Sequence, residues 1–176
     1  MLCISLRKTS YIVDNLMEIT HNEIMAAQKL VVAFHEVDKE DIPLVGGKGA
    51  NLGELASNNF PVPPGFIVTV NSYKAFLVIN GFEKELKEIL ADVDTSIPIA
   101  LQSASARVEK LFKKGEMPKN VVREVFSSYK KMGRFFKKPF VAVRSSATAE
   151  DLPGASFAGQ QATYLNIQGE ANLIEA

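Results

Sequence analysis

Short apolar runs alternate with amphipathic stretches after residue 28 and predict strands separated by helices. Residues 29–34, KLVVAF, are β-branched and apolar, which is typical of a buried strand. Residues 65–70 form a second such run after Pro63-Pro64, and residues 140–143 form a third, also expected to be buried. Residues 162–167 are a fourth strand candidate.

A helix is expected to open within GGKGANLGELA and to stop near residues 58–59, before the turn FPVPPG. Its apolar residues recur at spacings of three and four, which places them on one helical face. They are Leu52, Leu55 and Ala56.

Further helices are predicted between the second and third strands. The first is capped by Asn71 or Ser72 and runs to Ile79, and Gly81 separates it from the charged helix EKELKEIL.

Two longer helices follow, each with an apolar stripe expected to face the core. Asp94, Thr95 or Ser96 caps the first, and Gly115 ends it. Its stripe consists of Ile97, Leu101, Ala104, Val108 and Leu111. Pro118 suits the first turn of the second helix. The stripe of that helix consists of Val121, Val122, Val125, Phe126, Tyr129 and Met132.

The two ends of the chain differ from this pattern. Residues 1–28 carry scattered apolar positions without turn chemistry, and Met17 and Met25 are alternative starts, so we expect an N-terminal extension there. The final EANLIEA begins a helical pattern, but a single turn cannot bury its own face. We therefore expect the 176 residues to be one part of a longer domain.

Composition narrows the class of protein. The 176 residues are 47% apolar, enough for a folded core. Twenty basic and 20 acidic side chains give no net charge, which disfavours a nucleic-acid partner held by bulk charge. A disulfide scaffold is excluded because Cys3 is the single cysteine. Without an apolar run of membrane-spanning length, no membrane contact is predicted and a cytoplasmic protein is expected.

The segment VGGKGANLG is the first candidate for chemistry. Glycines allow backbone N–H groups to approach a ligand, and a helix N-terminus favours anions. The ammonium group of Lys48 is a mobile charge for a phosphate. The segment lacks the Walker pattern because Gly49 follows Lys48. A glycine-rich turn with a solvated lysine is the alternative.

The segment VAVRSSATAED is the second candidate. Arg144 ends an apolar strand, and its planar guanidinium suits phosphate oxygens. Ser145, Ser146 and Thr148 add hydroxyls, while Glu150-Asp151 offers carboxylates for a cation or for Arg144 itself. A structural Arg–carboxylate pair is the alternative.

The segment LPGASFAGQQATYLN is the third candidate, a loop of small residues around Phe157 that lays backbone over a ligand, or an ordinary hairpin loop. No metal site is predicted, because His21 and His35 are isolated and a thiolate cluster needs more than one cysteine. The serine-hydrolase GxSxG elbow is also absent from the sequence.

Taken together and in this order, VGGKGANLGEL, VPPGFIVT and FVAVRSSATAEDLPGASFAGQQATYLN closely resemble the N-terminal part of the phosphoenolpyruvate synthase family. Its wider group includes pyruvate, phosphate dikinase and rifampicin phosphotransferase. The resemblance runs from about Leu30 to the last residue. It implies an α/β (α+β) fold: the N-terminal portion of an ATP-grasp-like nucleotide-binding domain, with a small sheet and several packed helices, over residues 29–176.

The resemblance also implies roles for individual residues. Lys48 and Arg144 match the family's lysine and arginine that contact ATP phosphates, and they are the catalytic candidates. Gly159 and Thr163 match further positions of the ATP site. Lys48 and Arg144 were phosphate candidates by their chemistry alone, whereas Thr163 is implied only by the resemblance.

The parent reaction implied by the resemblance converts ATP, pyruvate and water to AMP, phosphoenolpyruvate and phosphate, with Mg²⁺. The family's metal-binding carboxylates, phosphorylated histidine and pyruvate-binding barrel have no match here, so the chain alone is expected to be inactive. Pyruvate would bind through the missing domains. A rifampicin-type acceptor, a split enzyme completed by a partner chain, and a nucleotide-binding regulatory module are the alternatives.

Overall fold

The computed structural model describes residues 29–91, 93–94, 96–133, 138–148 and 163–176. Their contacts divide into two compact units. The first unit contains Lys29–Ser72 and the described part of Lys119–Ala176, and the second contains Tyr73–Pro118. The predicted mixture of helices and short strands is confirmed. The predicted N-terminal extension, Thr95, Glu150-Asp151, Phe157, Gly159 and Ala162 lie outside the described residues.

The described elements follow the predicted order. The strands are β1 (Val31–Ala33), β2 (Phe66–Val68), β3 (Phe140–Arg144) and β4 (Thr163–Gln168). The α-helices are α1 (Ile42–Ser57), α2 (Val70–Asn80), α3 (Glu83–Ala91), α4 (Pro98–Lys114), α5 (Lys119–Met132) and α6 (Glu170–Glu175). Two single-turn 3₁₀ helices, Phe34–Glu36 and Lys39–Asp41, join β1 to α1.

In place of one small sheet, the described residues form two separate antiparallel sheets of two strands each. In the first sheet Val31 lies opposite Val68 and Ala33 opposite Phe66. Both strands were predicted, and both are shorter than their apolar runs. Val32 is 1% exposed and packs in a small core that includes the start of α1.

The second sheet pairs β3 with β4 and carries a bulge. Val141 lies opposite Ile167 and Val143 opposite Tyr164, so β4 has one more residue than β3 between these pairs. Within that interval Asn166 has a φ of 58°, a left-handed conformation that asparagine tolerates better than most residues. The bulge keeps Tyr164 and Ile167 on the same half-buried face although they are three residues apart.

The prediction that β3 is a buried strand is wrong for one of its faces. Its residues alternate between exposed and half-buried, and Phe140 is 67% exposed. An apolar run predicts burial on both faces, but the described part of the chain covers only the side that carries Val141 and Val143.

Helix α1 begins earlier than expected and buries a different face. It starts at Ile42, with a proline in its first turn, and ends at Ser57 as predicted. Its buried residues are Val45, Gly46, Gly47, Gly49, Ala50 and Gly53, whereas Leu55 is 41% exposed. A Cβ atom on Gly53 would overlap the carbonyl oxygen of Val37, so the missing side chains let the helix backbone approach its neighbours closely.

The predicted cap of α2 is wrong, because the helix begins at Val70 and already includes Asn71 and Ser72. The Ser72 hydroxyl instead donates to the carbonyl of Leu30 at 2.7 Å, and the Thr69 hydroxyl donates to the same oxygen at 3.1 Å. These bonds fix the start of α2 to the segment before β1. Both hydroxyl-bearing residues are buried.

The second unit is built from α3, α4 and the Tyr73–Asn80 part of α2. Gly81, with a φ of 66°, separates α2 from α3 as predicted. The core is formed by Phe76, Leu77, Leu86, Ile89, Leu90, Ala104, Val108 and Leu111. The α4 stripe is thus confirmed, although Ile97 is 44% exposed.

The predicted caps of α4 are also wrong. The helix begins at Pro98, and Ile97 precedes it without a side-chain hydrogen bond to the helix. Proline suits the first helical position because the N–H that it lacks would have no partner within the helix. The Asp94 carboxylate accepts hydrogen bonds from the backbone N–H and the hydroxyl of Ser96 instead. These bonds lower the pKa of Asp94, the side-chain bond having the larger effect.

Helix α5 belongs to the first unit and buries its predicted stripe through Val121, Val125 and Tyr129. Pro118 precedes the helix by one residue. The Tyr129 hydroxyl donates to the carbonyl of Pro139 at 2.6 Å and accepts from the N–H of Gly169 at 2.9 Å. It therefore ties α5 to the residues before β3 and before α6.

None of the helices in the described ranges is both long and apolar enough to cross a membrane. The same ranges contain no cluster of three or more His, Cys, Asp or Glu side chains that could hold a metal ion. His35 is exposed.

Candidate functional site

Two glycine- and serine-containing segments, 97 residues apart in sequence, meet in the first unit. One is the part of α1 around Lys48, and the other is residues 145–147, which follow Arg144 at the end of β3. Both were singled out by sequence as phosphate candidates. Their contact brings the two candidate cations into one region.

A sharp kink in α1 makes this contact possible. Gly46 has φ 71° and ψ 169°, a backbone conformation that is essentially restricted to glycine. A Cβ atom there would overlap the Ser146 hydroxyl and lie 3.0 Å from the backbone nitrogen of Ala147. Glycine is therefore needed at this position both for its dihedral angles and for the space that it leaves.

Hydrogen bonds from Gly47, Lys48 and Gly49 join the two segments. The N–H of Gly47 donates to the carbonyl of Ala147 at 3.1 Å, and the N–H of Gly49 donates to the Ser146 hydroxyl at 3.3 Å. Lys48 lies between these two glycines in sequence, and its ammonium group donates to the carbonyl of Ser145 at 3.4 Å. The glycine N–H groups expected to face a ligand thus have partners within the protein at Gly47 and Gly49.

Arg144 and Thr163 are direct neighbours across the second sheet. They form a cross-strand pair at one end of the β3–β4 ladder, and both are exposed. Directly opposed side chains in an antiparallel pair lie on the same face, about 4.5–5.5 Å apart at Cβ. The structure thus places Thr163 beside Arg144, while Lys48 is bonded to the residue that follows Arg144. Gly159 lies outside the described residues.

The arrangement suits a polyanionic ligand. Arginine keeps its charge at all ordinary pH values and offers several donors in one plane, and lysine supplies a compact, mobile charge. Lys48 is half-buried, and Ser145, Ser146 and Ala147 are half-buried beside it. The Ser145 hydroxyl is buried and has no hydrogen-bond partner among the described residues. The region thus combines two cations with polar groups of low exposure.

Sequence reasoning found the two cations by their chemistry but missed how their segments are joined. A signal for the contact was present in Gly46, Gly49 and Gly53, which recur at spacings of three and four. This spacing places them on one face of a helix, and a glycine face permits close backbone packing. The role of Ser146 as an acceptor for the N–H of Gly49 left no comparable signal in the sequence.

Comparison with known proteins gives a consistent assignment. A family model described as "Pyruvate phosphate dikinase, AMP/ATP-binding domain" matches residues 42–176. The chain is 42% identical over 151 residues to a probable phosphoenolpyruvate synthase of Methanocaldococcus jannaschii, and 47% identical over 146 residues to one of Archaeoglobus fulgidus. A phosphoenolpyruvate synthase of Aeropyrum pernix is 43% identical over 151 residues.

These similarities cover most of this chain but a small part of each relative. The alignments span 85%, 82% and 84% of the chain, respectively, and 13%, 19% and 18% of the relatives. The chain therefore spans less than a fifth of the length of these relatives. Residues 48, 144 and 163 all fall within the segment matched by the family model.

Proposed function

The chain belongs to the pyruvate phosphate dikinase AMP/ATP-binding domain family, and on this premise we propose that it binds ATP through the nucleotide's phosphates. The observation that carries the proposal is the junction between the Lys48 and Arg144 segments, which brings two cations from distant parts of the sequence into one region. A triphosphate requires concentrated positive charge and several donors, and this region supplies both.

Each residue of the site is proposed to make a different contact with the nucleotide. Arg144 offers its guanidinium to phosphate oxygens from the end of β3, and the Thr163 hydroxyl adds a donor on the same face of the sheet. Lys48 supplies a second charge from α1. We further propose that Gly159, with the loop that contains it, lays its backbone against the nucleotide. Lys48 and Arg144 act by stabilising negative charge during phosphoryl transfer.

We propose that the nucleotide-binding domain begins near residue 29, ahead of the segment matched by the family model. Val32 and Val37 are 1% and 4% exposed and belong to the same small core as Val45 and Ala50 of α1. Strand β1 pairs with β2, which lies inside the matched segment. Residues 1–28 are then an extension of this domain, and the domain itself is an N-terminal portion of an ATP-grasp-like fold.

We propose that the complete enzyme is a phosphoenolpyruvate synthase, or pyruvate, water dikinase. The named relatives carry that description, and the chain resembles them over most of its length. Phosphoryl transfer to a histidine and then to pyruvate would require the domains that the longer relatives possess, so the 176-residue chain alone would be inactive. We propose that the ligands of the Mg²⁺ that accompanies ATP lie outside this chain, as the family resemblance implies.

The test is a titration of the 176-residue chain with Mg²⁺-ATP, followed by the NMR shifts of backbone amides. We expect saturable shifts at Gly47, Gly49 and the residues after Arg144. Lys48→Ala and Arg144→Ala should each weaken binding by roughly tenfold or more, because each removes a charge-assisted contact.

Two exposed cations of α5 provide matched controls in the same unit, namely Lys119→Ala and Arg123→Ala. Each control also removes one lysine or arginine charge. It should change the affinity for Mg²⁺-ATP by less than about twofold, because salt screens the charge of an exposed side chain. The proposal is wrong if a folded chain gives no saturable shifts at millimolar nucleotide. It is equally wrong if the α5 variants weaken binding as much as Lys48→Ala and Arg144→Ala do.

A further inference from the structure

The Ser146 side chain occupies the closest point between α1 and the segment after Arg144. Its hydroxyl accepts the hydrogen bond from the N–H of Gly49 and lies directly against Gly46, where a Cβ atom would overlap it. The adjacent Ala147 carbonyl accepts the N–H of Gly47. The two residues that flank Lys48 in sequence are therefore both fixed by this short segment.

We propose that Ser146 is a positioning residue for the phosphate site and that Gly46 is the residue that admits it. Ser146 sets the orientation of the helical turn that carries Lys48, so that Lys48 and Arg144 act on one ligand together. This inference rests on the proposed function, since it concerns how the same two cations are aligned.

Ser146 differs in its contacts and exposure from the residues proposed to contact phosphate. Its oxygen is already engaged with Gly49, whereas Arg144 and Thr163 are exposed. The bond at Gly47 holds the turn on one side of Lys48, and the bond at Gly49 holds it on the other side. Between these two points the ammonium group of Lys48 donates to the carbonyl of Ser145, next to Arg144.

Loss of the hydroxyl has a defined structural consequence. Ser146→Ala leaves the buried N–H of Gly49 without its acceptor, and the start of the helix must shift or open to hydrate it. Hydrogen exchange at the Gly49 amide should therefore become faster in the variant without nucleotide. Ser146→Thr retains a hydroxyl at the same carbon and should restore slow exchange.

The binding test is a double-mutant cycle on the 176-residue chain with Mg²⁺-ATP. We expect Ser146→Ala to weaken binding roughly threefold to tenfold, in line with the loss of one hydrogen bond. If Ser146 acts through Lys48, the same substitution should have little further effect in a Lys48→Ala background. Ser146→Thr should bind nearly as well as the unmodified chain.

Ser127→Ala is the matched control, because it makes the same substitution at an exposed serine of α5, in the same unit and outside the candidate segments. It should change neither Gly49 exchange nor affinity. Ser146 has no positioning role if hydrogen exchange at Gly49 is unchanged in Ser146→Ala. The same conclusion holds if Ser146→Ala weakens nucleotide binding by the same factor with and without Lys48→Ala. Absence of nucleotide binding by the unmodified chain would instead refute the proposed function, which separates the two failures.

Discussion

Replacing Gly46 with alanine tests the junction between α1 and residues 145–147 directly. Gly46 has φ 71° and ψ 169°, where a residue with a Cβ atom is strained by roughly 1–3 kcal/mol. The new Cβ would also overlap Ser146 Oγ and lie 3.0 Å from the backbone of Ala147, so residues 145–147 must move away. That movement breaks the two hydrogen bonds that the N–H groups of Gly47 and Gly49 donate, each contributing about 0.5–1.5 kcal/mol.

A second glycine of the same unit, Gly169, separates the effect of the steric overlap from the effect of the backbone strain. Gly169 has φ 90° and ψ 158°, a similar backbone conformation, but among the described residues a Cβ atom there would meet only Lys138 Cδ at 4.0 Å. Gly169→Ala therefore shares the backbone strain of about 1–3 kcal/mol without the steric overlap. Gly46→Ala should cost about 1–3 kcal/mol more, the sum of the two lost hydrogen bonds.

The assay is urea unfolding of the two variants and the unmodified chain, followed by far-ultraviolet circular dichroism. Hydrogen exchange of the Gly47 and Gly49 amides supplies a local readout if either variant unfolds in more than one step. The reasoning is refuted if Gly46→Ala is no more destabilising than Gly169→Ala. It is also refuted if the exchange of the two amides remains as slow as in the unmodified chain.

Two further predictions concern the buried hydroxyl groups of tyrosines. Tyr129→Phe should lower the free energy of unfolding by about 1–3 kcal/mol, measured by the same urea titration, because the carbonyl of Pro139 and the N–H of Gly169 both lose their partner; an unchanged midpoint would contradict this. Burial raises the pKa of Tyr73 to about 12. As pH rises from about 10 to 12, the Tyr73 phenol therefore ionises in the unfolded chain while it stays protonated in the native chain. The free energy of unfolding should fall over this pH range, because ionisation stabilises the unfolded state. Tyrosinate absorbance of Tyr73→Phe against the unmodified chain checks this, and a Tyr73 phenol that ionises near the ordinary value of 10 would refute it.

Periodicity alone predicted most of the elements, because their large apolar residues do face a core. The α5 stripe is an example, with Val121, Val125 and Tyr129 all buried. The spacing of apolar residues predicted the wrong buried face for α1, namely the face that carries Leu55. The buried face of α1 is rich in glycine, and it packs closely through its backbone rather than through large side chains. Glycine does not count as apolar in a pattern of hydrophobic spacing, so the pattern does not detect such a face.

Local capping rules were wrong where another interaction competed for the same side chain. Ser72 donates to the carbonyl of Leu30, a contact made by residues 42 positions apart that no local pattern encodes. The candidate site also contains residues that local sequence identifies and one whose position depends on distant contacts. Lys48 and Arg144 were identified by charge and context, whereas the position of Thr163 opposite Arg144 depends on a register that the bulge near Asn166 alters.

The junction at Ser146 also has a consequence for the order of folding during synthesis. The first unit is discontinuous: Lys29–Ser72 is made before Tyr73–Pro118 of the second unit, and residues 145–147 are made after that segment. The glycines of α1 therefore emerge from the ribosome well before the segment that accepts their N–H groups, and closing this gap of 97 residues carries the entropy cost of a long loop. A nascent chain that ends at residue 144 would contain Lys48 and Arg144 but lack residues 145–147, whose contacts align them.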